Sequence, residues 1–288
     1  MKSIQQILAD TGKNKIAIGH FNISDIAGLK AIFMAASELK CPVLVGTSEG
    51  EREFLGEKAT VALVRSLREE FDFPIFLNAD HTHSFEKVKK AVEAGYDTIL
   101  FDGGKLPLEE NIRATKEVVE YVKSKNPNIL VEGEIGHIGS SSMVFKEIPK
   151  GAEIEEKDMT KPEEALEFVR ATKVDLFAPS VGNFHGLVGT SPKTSVSPEH
   201  IKLIKDSVKI PLVLHGGSGT PDETFKKAIS LGINVVHVNT EIRVGWRRGL
   251  ELALKNNPEE VVPYKLLSGA LDEVKRIVYN RLKLFNNL

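Results

Sequence analysis

Short runs of consecutive apolar residues alternate along this chain with longer segments whose apolar positions recur every three or four residues. The runs fall at Ala17–Asn22, Pro42–Ser48, Ile75–Asp80, Thr98–Gly103, Ile129–Gly136, Val174–Gly182, Pro211–Gly217 and Val235–Thr240. Between them the spacing predicts amphipathic helices, among them Ile26–Leu39, Phe85–Ala94, Glu109–Ser124, Pro162–Thr172, Pro198–Ser207 and Asp222–Leu231. The runs are apolar on successive residues rather than on alternate ones, which suits strands covered on both faces, as in a parallel sheet. Eight strand–helix units in 288 residues predict an α/β fold of the (β/α)8 barrel type, in a single domain spanning residues 1–288. A doubly wound sheet would carry a glycine fingerprint after its first strand, and Gly19-His20-Phe21-Asn22 is not one. Val261–Leu288 reads as a further helix packed on the barrel, with Leu266, Leu267, Leu271, Val274, Ile277, Val278 and Leu282 near helical spacing. Ser140–Lys161 is acidic and irregular. It reads as an extended loop, either a lid or a solvated excursion.

Composition narrows the class without naming a function. A formal net charge of -2 argues against a general nucleic-acid or anionic-membrane binder, which would need a basic face. The one cysteine, Cys41, excludes an intrachain disulfide framework and agrees with a reducing compartment. No stretch approaches the ~18 uncharged apolar residues needed to span a bilayer. Met1–Asp10 lacks the apolar core of a signal peptide, so the expectation is a soluble, cytoplasmic protein with no membrane partner.

The chemistry collects where strands give way to loops, the face on which barrels of this type carry catalytic groups. Three apolar runs lead to a histidine, at His81, His185 and His215, each followed by a polar or Gly-rich loop. A lone histidine there would be structural, whereas several at equivalent positions point to a shared metal site. Three neutral imidazoles leave an open position on Zn2+ for water or a substrate oxygen. Asp80, beside His81, is a candidate for supporting a metal ligand or for acid–base work. Successive strand residues point to opposite faces, so a turn is needed to aim both inward. The run His215-Gly216-Gly217-Ser218-Gly219 offers backbone amides and a hydroxyl to an anion. Asn239-Thr240 at the eighth predicted strand end would complete a phosphate cup, and phosphate sites after strands seven and eight recur in these barrels. Asn22, Ser48, Glu132 and Glu134 occupy other predicted strand ends.

As an ordered set, these stretches resemble the class II, metal-dependent fructose-bisphosphate aldolase family over most of the chain. The matching segments are Gly19-His20-Phe21-Asn22, Gly46-Thr47-Ser48-Glu49-Gly50, Ala79-Asp80-His81, Phe101-Asp102-Gly103-Gly104, Val131-Glu132-Gly133-Glu134-Ile135-Gly136, Phe184-His185-Gly186, Leu214-His215-Gly216-Gly217-Ser218-Gly219 and Val238-Asn239-Thr240-Glu241. The resemblance implies that His81, His185 and His215 bind a catalytic Zn2+ (or another divalent ion), with Glu134 as an alternative ligand. It implies that Asp80 exchanges a proton with the C4 hydroxyl of a ketose phosphate, and that Asn22 and Ser48 contact the substrate. Gly186, Gly216, Ser218, Asn239 and Thr240 would hold the phosphate, with a monovalent cation (Na+ or K+) near the Gly186 and Gly216 carbonyls. The implied enzyme is a lyase of carbohydrate metabolism (glycolysis and gluconeogenesis). It would cleave fructose 1,6-bisphosphate into dihydroxyacetone phosphate and glyceraldehyde 3-phosphate, and act as a homo-oligomer (dimer or tetramer).

Three departures from the family pattern bear on the substrate. The loop glutamate that shuttles the C1 proton is replaced near Ser142, and Glu147, Glu153 or another acid on the long loop would have to substitute. The eighth-strand asparagine that touches the substrate is His237. The arginine of the far-phosphate stretch is replaced in Val262-Pro263-Tyr264. The dihydroxyacetone phosphate half is thus retained and the far half is not. Tagatose bisphosphate, a ketose 1-phosphate, or sugar-phosphate binding without turnover stand as alternatives. His81-Thr82-His83 also matches the His-x-His pair of binuclear hydrolases, but on the third strand rather than the first. His83 is expected at the cavity mouth.

Overall fold

In the computed structural model, which describes residues 1–136, 138, 144–145, 156–188 and 196–288, the strand–helix alternation closes into a barrel. The elements in chain order are α1 (Ile4–Asn14), β1 (Ile18–Asn22), α2 (Ile26–Leu39), β2 (Val43–Thr47), α3 (Glu49–Leu55), α4 (Glu57–Glu70), β3 (Ile75–Thr82), α5 (Phe85–Ala94), β4 (Thr98–Phe101), α6 (Leu108–Lys125) and β5 (Leu130–Ile135). There follow β6 (Val144–Phe145), a 3-10 turn at Glu156–Asp158, α7 (Pro162–Thr172), β7 (Leu176–Pro179), β8 (Leu187–Val188), α8 (Pro198–Val208), β9 (Leu212–Leu214), α9 (Asp222–Leu231), β10 (Ile233–Val238), α10 (Thr240–Asn256) and α11 (Pro263–Phe285). The barrel runs β1-β10-β9-β7-β5-β4-β3-β2, and β6 pairs with β8 in a separate two-stranded sheet. Every barrel pairing is parallel.

All eight predicted strands are present, and the extra helices are where the sequence expectations fell short. The eight strand–helix units and extra terminal helices call for α4, α10 and α1 without setting their bounds, and α3 was not anticipated. Two of them begin with reciprocal capping boxes, Ser3 with Gln6 and Ser48 with Glu51, a signal the sequence carries in plain view. The eighth strand ends at Val238, so Asn239 caps α10 and Thr240 opens it, rather than both lying in the strand. His185 likewise lies in a loop beyond β7. Of the expected Ser140–Lys161 loop, residues 140–143 and 146–155 lie outside the described residues.

Side chains two apart along a strand share a face, and this period divides the barrel axis into layers. Ile18, Leu44, Phe76, Leu130, Leu176, Val213 and Val235 form one apolar layer, closed from below by Ile4, Ile7 and Leu8 of α1. One step further along the same strands stand His20, Asn78, Glu132, His215 and His237, all buried. The barrel is therefore apolar at its floor and polar toward the C-terminal ends of its strands. The other strand faces pack under the helices in a larger apolar cluster. Helix α11 buries Ala270, Val274, Val278, Leu282 and Phe285, each larger side chain contributing about 1.5–3 kcal/mol on full burial. Among the described residues no helix is long and apolar enough to cross a membrane.

Helices α10 and α11 touch through bare backbone: a Cβ on Gly249 would lie 2.1 Å from the Gly269 carbonyl oxygen. Gly249→Ala must push the helices apart, and is expected to destabilise the protein by about 1–3 kcal/mol. Urea unfolding should show a lower midpoint with an unchanged slope.

Candidate active site

A cavity of about 280 Å³ opens at the C-terminal ends of the strands. Asn22, Ser48, Asp80, His81, His185, Gly186, Gly216, Ser218, Asn239 and Thr240 all line it. His215 and Glu134 are buried, with ligand atoms close to those of the lining histidines. The chemistry-bearing residues expected from the sequence thus converge from β1, β2, β3, β5, β9 and the loops after β7 and β10.

The decisive local feature is the end of β3. Its register against β4 slips between Ala79 and Thr82, and His81 takes a left-handed backbone, φ 40°. This is the turn that lets Asp80 and His81 both face the cavity. A non-glycine residue held there carries strain of order 1–3 kcal/mol. Arg52 holds it: the guanidinium is buried and Nη1 donates to the carbonyls of Thr47 at 2.6 Å and Asp80 at 3.0 Å. Its Nη2 donates to Thr82 Oγ1 at 3.1 Å. Neither Arg52 nor its role was legible in the sequence, because its partners are two carbonyls and a hydroxyl on β2 and β3.

Nitrogen atoms of His81, His185 and His215 lie within 4.8 Å of one another. Each of two rings is oriented by a carboxylate on its far nitrogen. His81 Nδ1 is 2.8 Å from Asp102 Oδ2, which directs Nε2 elsewhere. His215 Nε2 is 2.8 Å from Glu132 Oε1. In the tautomer that donates Nε2–H to Glu132, the lone pair of His215 sits on Nδ1. That atom is buried with no hydrogen-bond partner, 4.0 Å from Glu134 Oε2, which is equally unpartnered. Buried polar atoms without partners are costly, so their convergence beside three imidazoles marks a place built for a ligand. The donor set, three imidazoles and a neighbouring carboxylate, fits a divalent transition metal. The orienting Glu132 and Asp102 supply the support that such ligands need.

Charge in this buried cluster is unevenly distributed. Burial pushes Glu132 up to about 8, aided by Asp80, and burial with Asp102 raises Glu134 well above the carboxylate range. Burial also holds His215 well below the usual imidazole value, assisted by His237 and His81. Burial opposes a charge on His81, but Asp80, the Asp102 hydrogen bond and Glu134 outweigh it and raise the ring to about 10. Burial by itself would raise Asp80; His81, His237 and His20 overcome this and hold it well below the usual range. Asp80 is the carboxylate kept ionised, as a proton acceptor must be.

Asp80 Oδ2 accepts from Asn22 Nδ2 at 3.0 Å, and the same amide nitrogen donates to Glu51 Oε2 at 3.0 Å. Glu51 Oε2 also accepts from the Ser48 amide and hydroxyl, and its other oxygen from Ser24 and Arg243. Ser48 is therefore engaged as the cap of α3 as well as lining the cavity. At the opposite side, Gly216 has φ +61°, and a Cβ there would sit 2.3 Å from the Phe184 carbonyl oxygen. Ser218 Oγ accepts from the Glu241 amide at 3.1 Å, and Arg281 neutralises Glu241 through two contacts of 3.0 and 2.8 Å. The first turn of the 17-residue α10 opens onto the cavity at Thr240, where the helix dipole favours an anion.

His83 lines the mouth, as expected, 3.6 Å from Asp102. It belongs to none of the metal-capable groups among the described residues, which leaves the binuclear pair without support. Tyr264 is exposed at the start of α11. Ser142, Glu147 and Glu153 lie outside the described residues. Asp102 and Glu51 were missed as functional positions, although both stand in or beside conspicuous sequence stretches.

Comparison with known proteins agrees with this geometry. A sequence model described as fructose-bisphosphate aldolase class-II matches residues 2–288. A fructose-bisphosphate aldolase of Geobacillus stearothermophilus is 34% identical over 288 residues, covering 99% of this chain and 96% of the relative. A 6-phospho-5-dehydro-2-deoxy-D-gluconate aldolase of Shouchella clausii is 36% identical, covering 97% and 92%. The crystal structure of the YdjI aldolase from Escherichia coli superposes with a TM-score of 0.81 at 29% sequence identity, covering 99% of this chain and 97% of that one.

Arg52 offers a direct test of the turn at His81. Lysine cannot reproduce the fork that bridges two carbonyls and a hydroxyl. Arg52→Lys should lower the unfolding free energy by about 1.5–3 kcal/mol, the worth of a hydrogen bond to a charged group. Urea denaturation reads this directly; unchanged stability would show that the turn holds itself.

Proposed function

The chain belongs to the class-II fructose-bisphosphate aldolase family, and on that premise we propose a zinc-dependent aldolase acting on a ketose phosphate. It cleaves the sugar reversibly into dihydroxyacetone phosphate and an aldehyde. The observation that carries this is the convergence of three histidine nitrogens within 4.8 Å beside the buried carboxylate of Asp80. His81, His185 and His215 would hold the ion, with Glu134 as a further ligand. When bound, Zn2+ draws electron density from the substrate carbonyl oxygen and so eases cleavage of the adjacent carbon–carbon bond.

The remaining work falls to the chain itself. Asp80 takes the proton of the ketose C4 hydroxyl in cleavage and returns it in condensation. Asn22 fixes Oδ2, and Oδ1, which faces His237 Nδ1 at 3.5 Å, keeps a lone pair for the hydroxyl. Gly186, Gly216, Ser218, Asn239 and Thr240 receive the phosphate at the α10 N-terminus, with Na+ or K+ beside it. This anchors the triose end and turns the later proton transfer into an intramolecular step. Among the described residues the far end shows no counterpart to that anchor: Tyr264 is exposed where the family resemblance calls for an arginine. Fructose 1,6-bisphosphate is the first substrate to test, with tagatose bisphosphate, ketose 1-phosphates and 6-phospho-5-dehydro-2-deoxy-D-gluconate beside it. A single domain over residues 1–288 is supported by α1 and α11 packing on the same barrel. A cytoplasmic homo-oligomer completes the picture, supported by exposed Leu252, Leu254 and Val261 on and after α10.

Cleavage of at least one of these ketose phosphates should be abolished by a chelator and restored by zinc. Asp80→Ala should retain zinc and lose turnover, whereas His185→Ala should lose zinc by elemental analysis, since two imidazoles hold it less well than three. A metal-loaded protein that binds dihydroxyacetone phosphate and cleaves none of the panel would be a binder, not a lyase.

Zinc affinity should also fall with pH in a defined direction. The ligand form of His81 is neutral, whereas the metal-free ring keeps its proton up to about pH 10. Binding therefore releases at least one proton below that pH, and affinity weakens by at least about tenfold per unit of acidification. Glu132→Ala, which removes the acceptor on His215 Nε2, should weaken binding by about 10–100-fold. Competition titrations at two pH values test both.

A further inference from the structure

Two imidazoles stand beside Asp80 without a task in this scheme. His20 of β1 and His237 of β10 are register partners on adjacent parallel strands. Their rings are stacked face to face, centroids 3.5 Å apart and planes 4° from parallel. Both are buried, and β2 is shaped to admit them: a Cβ on Gly46 would lie 2.2 Å from the His20 ring.

Neighbouring groups fix the outer ring. Asn78 Nδ2 donates to Thr98 Oγ1 at 2.7 Å, so Asn78 Oδ1 faces His20 Nε2 at 3.1 Å. That nitrogen must carry the proton, and His20 cannot turn without losing the bond. The inner ring, His237, directs Nδ1 at Asp80 Oδ1, 3.5 Å away, and lines the cavity. Contacts of this length commonly tighten when substrate binds. Asp80 Oδ2 is thus held by Asn22, while Oδ1 makes no hydrogen bond and faces His237 Nδ1. Burial pushes His237 down to about 3 and lowers His20, so two uncharged rings stack without repulsion.

We propose that His237 is a positioning residue that fixes the carboxylate of Asp80 for proton transfer, and that His20, locked by Asn78, holds the His237 ring in place by stacking. This rests on the acid–base role of Asp80 proposed above.

The test uses the zinc-loaded full chain and its best ketose phosphate. His237→Ala should lower kcat by about 10- to 100-fold, the scale of a misplaced reacting group, with KM and zinc content little changed. His237→Gln, which keeps an N–H donor, should recover part of that loss. His20→Ala should lower kcat in the same manner, and His20→Phe, which restores a ring to the stack, should recover it. An unchanged kcat in His237→Ala, a change confined to KM, lost zinc, or a His20→Phe variant no better than His20→Ala overturns the positioning role. Asp80→Asn is the control. Full turnover in that variant, or none in the native holoenzyme, overturns the acid–base role and the positioning role with it. An Asp80-dependent enzyme indifferent to His237→Ala overturns the positioning role alone.

Discussion

The site depends on one backbone constraint, the left-handed turn at His81. In a regular strand, residues 80 and 81 would point to opposite faces, one into the barrel and the other under the helices. The turn gathers both at the cavity, and its strain of order 1–3 kcal/mol must be met locally. Arg52 makes three charged hydrogen bonds around it, to Thr47, Asp80 and Thr82, each worth about 1.5–3 kcal/mol. Asp102 adds a contact to the His81 ring itself. The restraint therefore exceeds the strain, and the geometry of the proposed acid–base and metal groups is set before any ligand arrives.

The second constraint is the polarity gradient along the barrel axis. The floor is sealed by aliphatic and aromatic side chains under α1, so water cannot solvate the polar layer from below. Groups in that layer must satisfy one another, and most do: His20 with Asn78, Asn78 with Thr98, His215 with Glu132, Asn22 with Asp80 and Glu51. The unsatisfied atoms are then informative. His215 Nδ1 and Glu134 Oε2 are left over on the side of His81 and His185, and Asn239 Oδ1 is left over at the start of α10. Asp80 Oδ1, His20 Nδ1 and Thr220 Oγ1 are unpartnered as well, so the vacancies include the metal-capable group, the Asp80 carboxylate and the start of α10.

Strand count, strand order along the chain and the cavity-facing residues were legible because each is a local signal. Apolar runs mark strands covered on both sides, and His, Asp, Asn and Gly at their ends mark the open face. The register between distant strands was not legible. Nothing local to Gly46 announces that it makes room for His20, and nothing near Arg52 announces carbonyl partners on β2 and β3. Helix α10 was implied by the eight strand–helix units but its start was not placed, although its first turn opens onto the cavity. Asn239 and Thr240 were singled out as strand-end residues; the helix that begins there gives them their electrostatic character.

The two ends of the cavity also differ in how their charges are compensated. At the α10 end, Glu241 is neutralised from behind by Arg281, leaving the positive pole of the helix to face an anion. At the mouth, among the described residues, each nearby cation is already paired: Arg243 with Glu51 at 2.7 Å and Lys87 with Glu49 at 2.5 Å. An anion arriving there must displace a carboxylate, and displacing Glu51 would disturb the residue that also holds Asn22 and, through it, Asp80. The anionic end of a substrate is therefore best received at α10. Among the described residues the opposite end presents cations that are already paired, which is why the α10 end is the better-defined half of the proposed substrate site.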